Sequence, residues 1–161
     1  TLYGDLAGFL CPLGDLWKHE VYELAHYYNN NIFYNETIPK ELFDVKPSAE
    51  LSESQDVTRG LGDPLNYDYH DGLFSLWLEA WQRYTYQDCI DAYNNNTLDD
   101  LLKLGTGTIK KLFPHETNFI EDLMRWWNLY EGFAAIKRVQ APPILAVSKR
   151  SFGSDYREYM Q

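Results

Sequence analysis

The sequence predicts one mainly helical domain, and three observations carry that reading. Apolar residues recur at helical spacing in stretch after stretch of the chain. No run alternates apolar and polar residues as a half-buried strand does, apart from one short candidate at Ile144 to Val147. Clusters of Gly, Pro and Asn separate the periodic stretches and mark where helices stop. At 161 residues the chain fits a single domain, which would bury about 70% of its unfolded surface on folding.

In chain order, Gly4 and Gly8 bracket Asp5 in a glycine-punctuated turn. Asp15 is expected to cap a first helix whose stripe is Trp17, Val21, Leu24, Ala25 and Tyr28, ending at Asn29 to Asn31. Lys18 falls in the first turn of that helix, where the dipole favours anions. It is either a solvated lysine or the neighbour of a bound anion. Pro39 to Phe43 makes one short turn, and Lys46-Pro47 forces extended backbone before the hydroxyl of Ser48. Glu50 to Pro64, polar and carrying Gly60 and Gly62, reads as a mobile loop over a site or as an ordinary surface loop. A second helix is expected from Asp71 to Tyr84 and a third from Gln87 to Tyr93. Thr97 to Asp100 has capping-box spacing and opens a short helix with Leu101, Leu102 and Leu104. Asn118 with Glu121 should cap the last helix, with the stripe Ile120, Leu123, Met124, Trp127, Tyr130 and Ala134. Pro142-Pro143 ends the helical region. Trp126 and Phe133 lie off the stripe of the last helix, and helices apolar on two faces seek two partners.

The net charge of −10 argues against a nucleic-acid binder, since neutralising phosphates needs a basic surface. From Arg125 onward the chain is net +3, which suits a small anion or an acidic neighbour. Cys11 and Cys89 have no paired spacing and read as reduced thiols of a cytosolic protein. No apolar run approaches the length of a membrane span. The start at Thr1-Leu2-Tyr3 reads as that of a piece cut from something longer.

Four constellations invite chemistry. His19-Glu20 with His26 suggests a metal, but the two His lie seven positions apart, about 10 Å along a helix, too far to share one ion. Asn35-Glu36-Thr37 and Asn95-Asn96-Thr97 match the glycosylation acceptor pattern without a secretory context and are read as unused. Ser48 lacks the glycine elbow and the Ser-His-Asp order of a nucleophile, so a hydroxyl that binds phosphate is the better reading. Lys137-Arg138 either complements the end of the last helix or belongs to a site.

Four segments together resemble the C-terminal part of the NAD synthetase family. They are Tyr3-Gly4-Asp5-Leu6-Ala7-Gly8, Pro12 to Lys18 running into Val21-Tyr22-Glu23-Leu24-Ala25, Lys46-Pro47-Ser48-Ala49-Glu50-Leu51, and Lys137-Arg138-Val139-Gln140-Ala141-Pro142-Pro143. The resemblance covers essentially the whole chain. It implies that residues 1–161 are a mainly α fragment of an α/β Rossmann-like domain of the adenine nucleotide alpha hydrolase, or ATP pyrophosphatase, type. It further implies a ligase in which ATP adenylates the nicotinate carboxylate of deamido-NAD, pyrophosphate leaves, and ammonia displaces AMP.

By the same resemblance, Asp5 lines the deamido-NAD site, Lys18 and Ser48 contact ATP phosphates, Asp56 lies near the nicotinate, and Lys137 and Arg138 lie close to the substrate. No catalytic residue and no metal ligand is assigned within the chain. ATP and Mg²⁺ are implied as co-substrates. Ammonia is supplied free or from glutamine through a glutaminase domain, and a cytoplasmic homodimer is implied. The chain departs from the family at Leu2 and Ile136, where short ammonia-dependent members often carry a lysine and a histidine. The family's Ser-Gly-Gly-x-Asp-Ser pyrophosphate loop and its magnesium carboxylates are expected upstream of Thr1, so the chain alone is expected to be inactive. Two alternatives remain: a non-catalytic dimerisation or interaction module, and a related ATP pyrophosphatase that amidates another carboxylate.

Overall fold

Helices and short helical turns make up the regular structure of the described residues, apart from one isolated parallel bridge between Cys11 and Ile144. The computed structural model describes residues 8–48, 52–133 and 142–147. The chain divides into one unit of Trp17–His70 and another of Thr1–Leu16 with Asp71–Gln161. The helices are α1 (Lys18–Tyr27), α2 (Glu41–Asp44), α3 (Tyr67–Glu79), α4 (Tyr86–Asn94), α5 (Leu98–Leu101), α6 (Thr108–Leu112) and α7 (Glu116–Glu131).

In the unit Trp17–His70, α1 begins later than the sequence suggests. Trp17 is its N-cap residue, and the Glu20 carboxylate accepts from the Trp17 amide at 2.8 Å. Asp15 does not cap it. That carboxylate, only 5% exposed, accepts instead from the Val147 amide at 2.6 Å in its own unit. A buried carboxylate needs such a donor. At its far end α1 continues as a π-helical turn, Tyr28–Phe33, rather than stopping at the asparagines. Asn29 turns inward there and clasps the returning chain. Its Oδ1 accepts from the Ile38 amide at 2.9 Å, and its Nδ2 donates to the Ile38 carbonyl at 2.8 Å. The turn closes at Tyr34, a non-glycine residue with φ of +54°. The expected short turn is α2, whose Phe43 stacks on His26 at 4.1 Å and meets Tyr22 edge-on at 5.7 Å.

The other unit holds the main core. Leu73, Leu76, Trp77 and Leu78 of α3 are buried with Cys89, Ala92 and Tyr93 of α4, Leu98 of α5, Leu102, Ile109 of α6, and Phe119 and Leu123 of α7. Tyr93 stacks on Phe119 at 4.5 Å and 8°, with Lys110 Nζ 3.3 Å from the centroid of the Tyr93 ring. Trp77 packs against Trp127 at 5.0 Å and Tyr130 at 5.3 Å. Trp126, expected off the stripe, also has a place: its ring meets Phe74 at 5.6 Å, and its Nε1 donates to Asp122 at 3.2 Å. Gly72 lets α3 approach Leu102 closely, because a Cβ there would lie 2.9 Å from the Leu102 carbonyl oxygen.

The caps differ from the expected ones. Asn66, through its Oδ1, accepts from the Tyr69 amide at 3.3 Å and starts α3 four residues before Asp71. α3 ends at Glu79, leaving Trp81 86% exposed, because Thr85 and Asp88 form a reciprocal capping box that starts α4 afresh. The Asp88 carboxyl is held below its ordinary value, chiefly by the Thr85 amide and then by the Thr85 hydroxyl. Thr97 makes no side-chain cap, its hydroxyl reaching back to the Ala92 carbonyl at 3.4 Å. Asp99 supplies the capping carboxylate nearby, accepting from the amides of Gly107 at 2.9 Å and Ile109 at 2.8 Å at the start of α6. α7 starts at Glu116 after His115, earlier than Asn118. At Ile144 there is one bridge rather than a strand: the Cys11 amide donates to Pro143 at 2.8 Å, and the Leu145 amide donates to Cys11 at 3.2 Å.

The two thiols differ in a way that reagents can read. Burial pushes the Cys89 thiol up to about 12, against a weaker opposite effect of the Trp77 indole N–H. Cys11 is half-exposed. Since the thiolate is the reactive form, a disulfide reagent at pH 8 is expected to modify Cys11 in the native chain and Cys89 only after denaturant is added. Equal rates at both would contradict the packing of α4.

Candidate functional site

Lys18, Ser48 and Asp56 all lie in the unit Trp17–His70, and each has partners of its own there. Lys18, half-buried, opens α1. One turn on, the Tyr22 ring lies 5.3 Å from its Nζ, the i,i+4 spacing that lets a lysine stem lie along a ring. The ammonium thus sits at the positive end of a helix, a place where it gains from an anion and loses without one.

Ser48 is set in a cross-braced loop. Its hydroxyl donates to the Gln55 carbonyl at 2.6 Å. Lys46 Nζ donates to the Gly60 carbonyl at 2.8 Å, and the Asp63 amide donates to the Pro47 carbonyl at 2.8 Å. Gln55 Nε2 donates to Asp63 Oδ1 at 2.9 Å, and Tyr67 OH donates to Asp63 Oδ2 at 2.8 Å. Gly62 is required where it stands, since a Cβ would fall 2.8 Å from the Pro47 carbonyl oxygen. The sequence suggests a mobile loop from Glu50 to Pro64. The other reading of the sequence is an ordinary surface loop; the described residues, 52–64, form two 3-10 turns, Glu53–Gln55 and Val57–Arg59, tied back to Lys46-Pro47-Ser48.

Asp56, assigned to the nicotinate by resemblance, caps the second of those turns. Its Oδ1 accepts from the Thr58 amide at 2.9 Å and the Thr58 hydroxyl at 2.6 Å. Both contacts fall on one oxygen, so a further contact by the other is compatible with the cap. Asp5, Lys137 and Arg138 lie outside the described residues, as do Ala49, Glu50 and Leu51.

Sequence reasoning did not single out Gln55 or Asp63 as site residues. The signal was the Gly62-Asp63-Pro64 step, where a glycine and a proline flank one carboxylate. A hollow of about 450 Å³ in the same unit is lined by His26, Asn30, Tyr34, Asn35, Glu36 and Lys40 among others, and by none of the anticipated site residues. Among the described residues no group of three or more His, Cys, Asp or Glu side chains could hold a metal ion, and no helix is long and apolar enough to cross a membrane.

The model of the family described as NAD synthase matches residues 1–109. The glutamine-dependent NAD(+) synthetase of Xanthomonas campestris pv. campestris (strain 8004) is 31% identical over 157 residues, 98% of this chain and 23% of that protein. That of Aquifex aeolicus (strain VF5) is 29% identical over 157 residues, 98% of this chain and 22% of that protein. The NH(3)-dependent NAD(+) synthetase of Helicobacter pylori (strain G27) is 45% identical over 64 residues, 40% of this chain and 22% of that protein. The chain therefore spans less than a quarter of the length of these relatives. No solved structure matches it.

Proposed function

The chain belongs to the NAD synthase family, within the adenine nucleotide alpha hydrolase-like superfamily, and from that premise we propose that it is the C-terminal portion of an enzyme that amidates deamido-NAD to NAD with ATP. The reaction is adenylation of the nicotinate carboxylate with release of pyrophosphate, followed by displacement of AMP by ammonia, which is free or drawn from glutamine. The observation that carries the reading is the family match over residues 1–109, which includes both Lys18 at the head of α1 and Ser48 in its braced loop.

In this reading Lys18 and the N-terminus of α1 offset the negative charge of the ATP phosphates. Ser48 donates its hydroxyl proton to a phosphate oxygen in place of the Gln55 carbonyl. Asp5, Asp56, Lys137 and Arg138 bind deamido-NAD. The described residues offer no cluster for Mg²⁺. Adenylation needs donors aimed at the departing pyrophosphate, and losing one such donor costs about a hundredfold or more in rate. The pyrophosphate loop is supplied by the upstream half of the domain, so the chain alone is inactive. The working enzyme is a cytoplasmic homodimer.

One observation favours a different class of function. Tyr27, Tyr28, Ile32, Phe33 and Tyr34 along the end of α1 and its π turn are all 40% exposed or more, as a dimerisation or interaction module would require. Calorimetric titration with ATP and with deamido-NAD separates the two, because such a module binds neither. A relative that amidates another acid would accept other carboxylates as readily as the nicotinate-bearing one.

A further inference from the structure

The stretch from Gly62 to Tyr67 has no part in the chemistry above, yet it holds the loop that carries Ser48. We propose that Asp63 is a positioning residue for the Ser48 hydroxyl, a proposal that rests on Ser48 contacting ATP phosphate. Asp63 works through three groups at once. Its amide fixes the Pro47 carbonyl at 2.8 Å, one residue before Ser48. Its Oδ1 holds the Gln55 side chain at 2.9 Å, and Gln55 is the residue whose carbonyl receives the Ser48 proton at 2.6 Å. Its Oδ2 accepts from Tyr67 OH at 2.8 Å, and Tyr67 is the first residue of α3, so the carboxylate is anchored to a helix as well as to the loop.

The neighbours of Asp63 fit the same purpose. Pro64 restricts Asp63 to extended backbone. Gly62 leaves room for the Pro47 oxygen, which a Cβ would meet at 2.8 Å. Both the backbone from which Ser48 projects and the acceptor that aims its hydroxyl are thereby set by one residue, the first through its amide and the second through its carboxylate. A hydroxyl held in this way meets a phosphate already oriented, and ordering it does not draw on the binding energy. The Gln55 carbonyl then serves as the stand-in acceptor until phosphate arrives.

The test is a double-mutant cycle on KM for ATP, using the chain combined with the upstream half of the domain. Asp63→Asn, which puts an amide where Gln55 and Tyr67 both donate, is expected to raise KM about fivefold when Ser48 is present. In a Ser48→Ala background the same change should raise it less than about 1.5-fold. Tyr67→Phe should show a smaller effect with the same dependence on Ser48, and it serves if Asp63→Asn fails to fold. An equal rise in both backgrounds would assign Asp63 a general structural role and overturn the proposal. No rise in KM from Ser48→Ala alone would instead overturn the phosphate reading of Ser48, and the positioning role with it.

Discussion

Phe119→Ala is expected to destabilise the chain by about 3–5 kcal/mol, the usual cost of emptying a buried phenylalanine site. Phe119 is 0% exposed; its ring lies flat on Tyr93 at 4.5 Å and meets Phe113 at 5.7 Å. It joins α4 to α7, with Tyr93 OH adding a hydrogen bond to the Phe113 carbonyl at 2.9 Å. At about 2–4 °C per kcal/mol for a chain of this size, the unfolding midpoint should fall by roughly 10 °C. Phe133→Ala is the control: that ring is 79% exposed and its loss should leave the midpoint within about 1 °C. Thermal unfolding followed by circular dichroism reads both. Equal shifts would mean that the aromatic stack of α4 and α7 is not the core described above.

The second large effect concerns chemistry. Lys18→Ala in the chain, assayed with the upstream half of the domain, is expected to lower kcat/KM for ATP about 10- to 100-fold, since a hydrogen bond to a charged group contributes about 1.5–3 kcal/mol. Stability should hardly change. Lys18 is only half-buried, α1 contains no fully buried residue, and the contact with Tyr22 at 5.3 Å contributes only about 0.5–1 kcal/mol. A loss of turnover accompanied by a lowered unfolding midpoint would point to a structural lysine. Unchanged kcat/KM would remove Lys18 from the phosphate site.

The parts of the fold that were legible in the sequence are those that local rules govern. The positions of α1 and α4, the short turn at α2 and the apolar face of α7 follow from local spacing. So does the position of Lys18 in a first turn. The cap positions were not legible, because several carboxylates and amides spend their bonds far from where they stand in sequence. Asp15 reaches Val147, Asp99 reaches Gly107 and Ile109, and Asn29 reaches Ile38. Local cap patterns name candidates for these bonds, and tertiary contacts decide among them. Thr85 with Asp88 was legible and passed over, since its T-x-x-D spacing is that of the box found there.

The candidate site follows the same division. Ser48 is a candidate because of its Lys-Pro step and family resemblance, whereas the brace behind it depends on Asp63 meeting three groups from Pro47, Gln55 and Tyr67. No periodicity announces such a hub. The polar, glycine-containing composition of residues 52–64 marks a loop, and the hydrogen bonds that tie it to Lys46, Pro47 and Ser48 have no local sequence signature.

The central claim is tested most directly by NAD formation from ATP, Mg²⁺, deamido-NAD and ammonium, measured with the chain alone and with the separately produced upstream half of the domain. The account predicts no NAD from either part alone and NAD from the mixture. Turnover by the chain alone would contradict the dependence on the upstream pyrophosphate loop, and an inactive mixture of two folded parts would contradict the assignment of this chain to that enzyme.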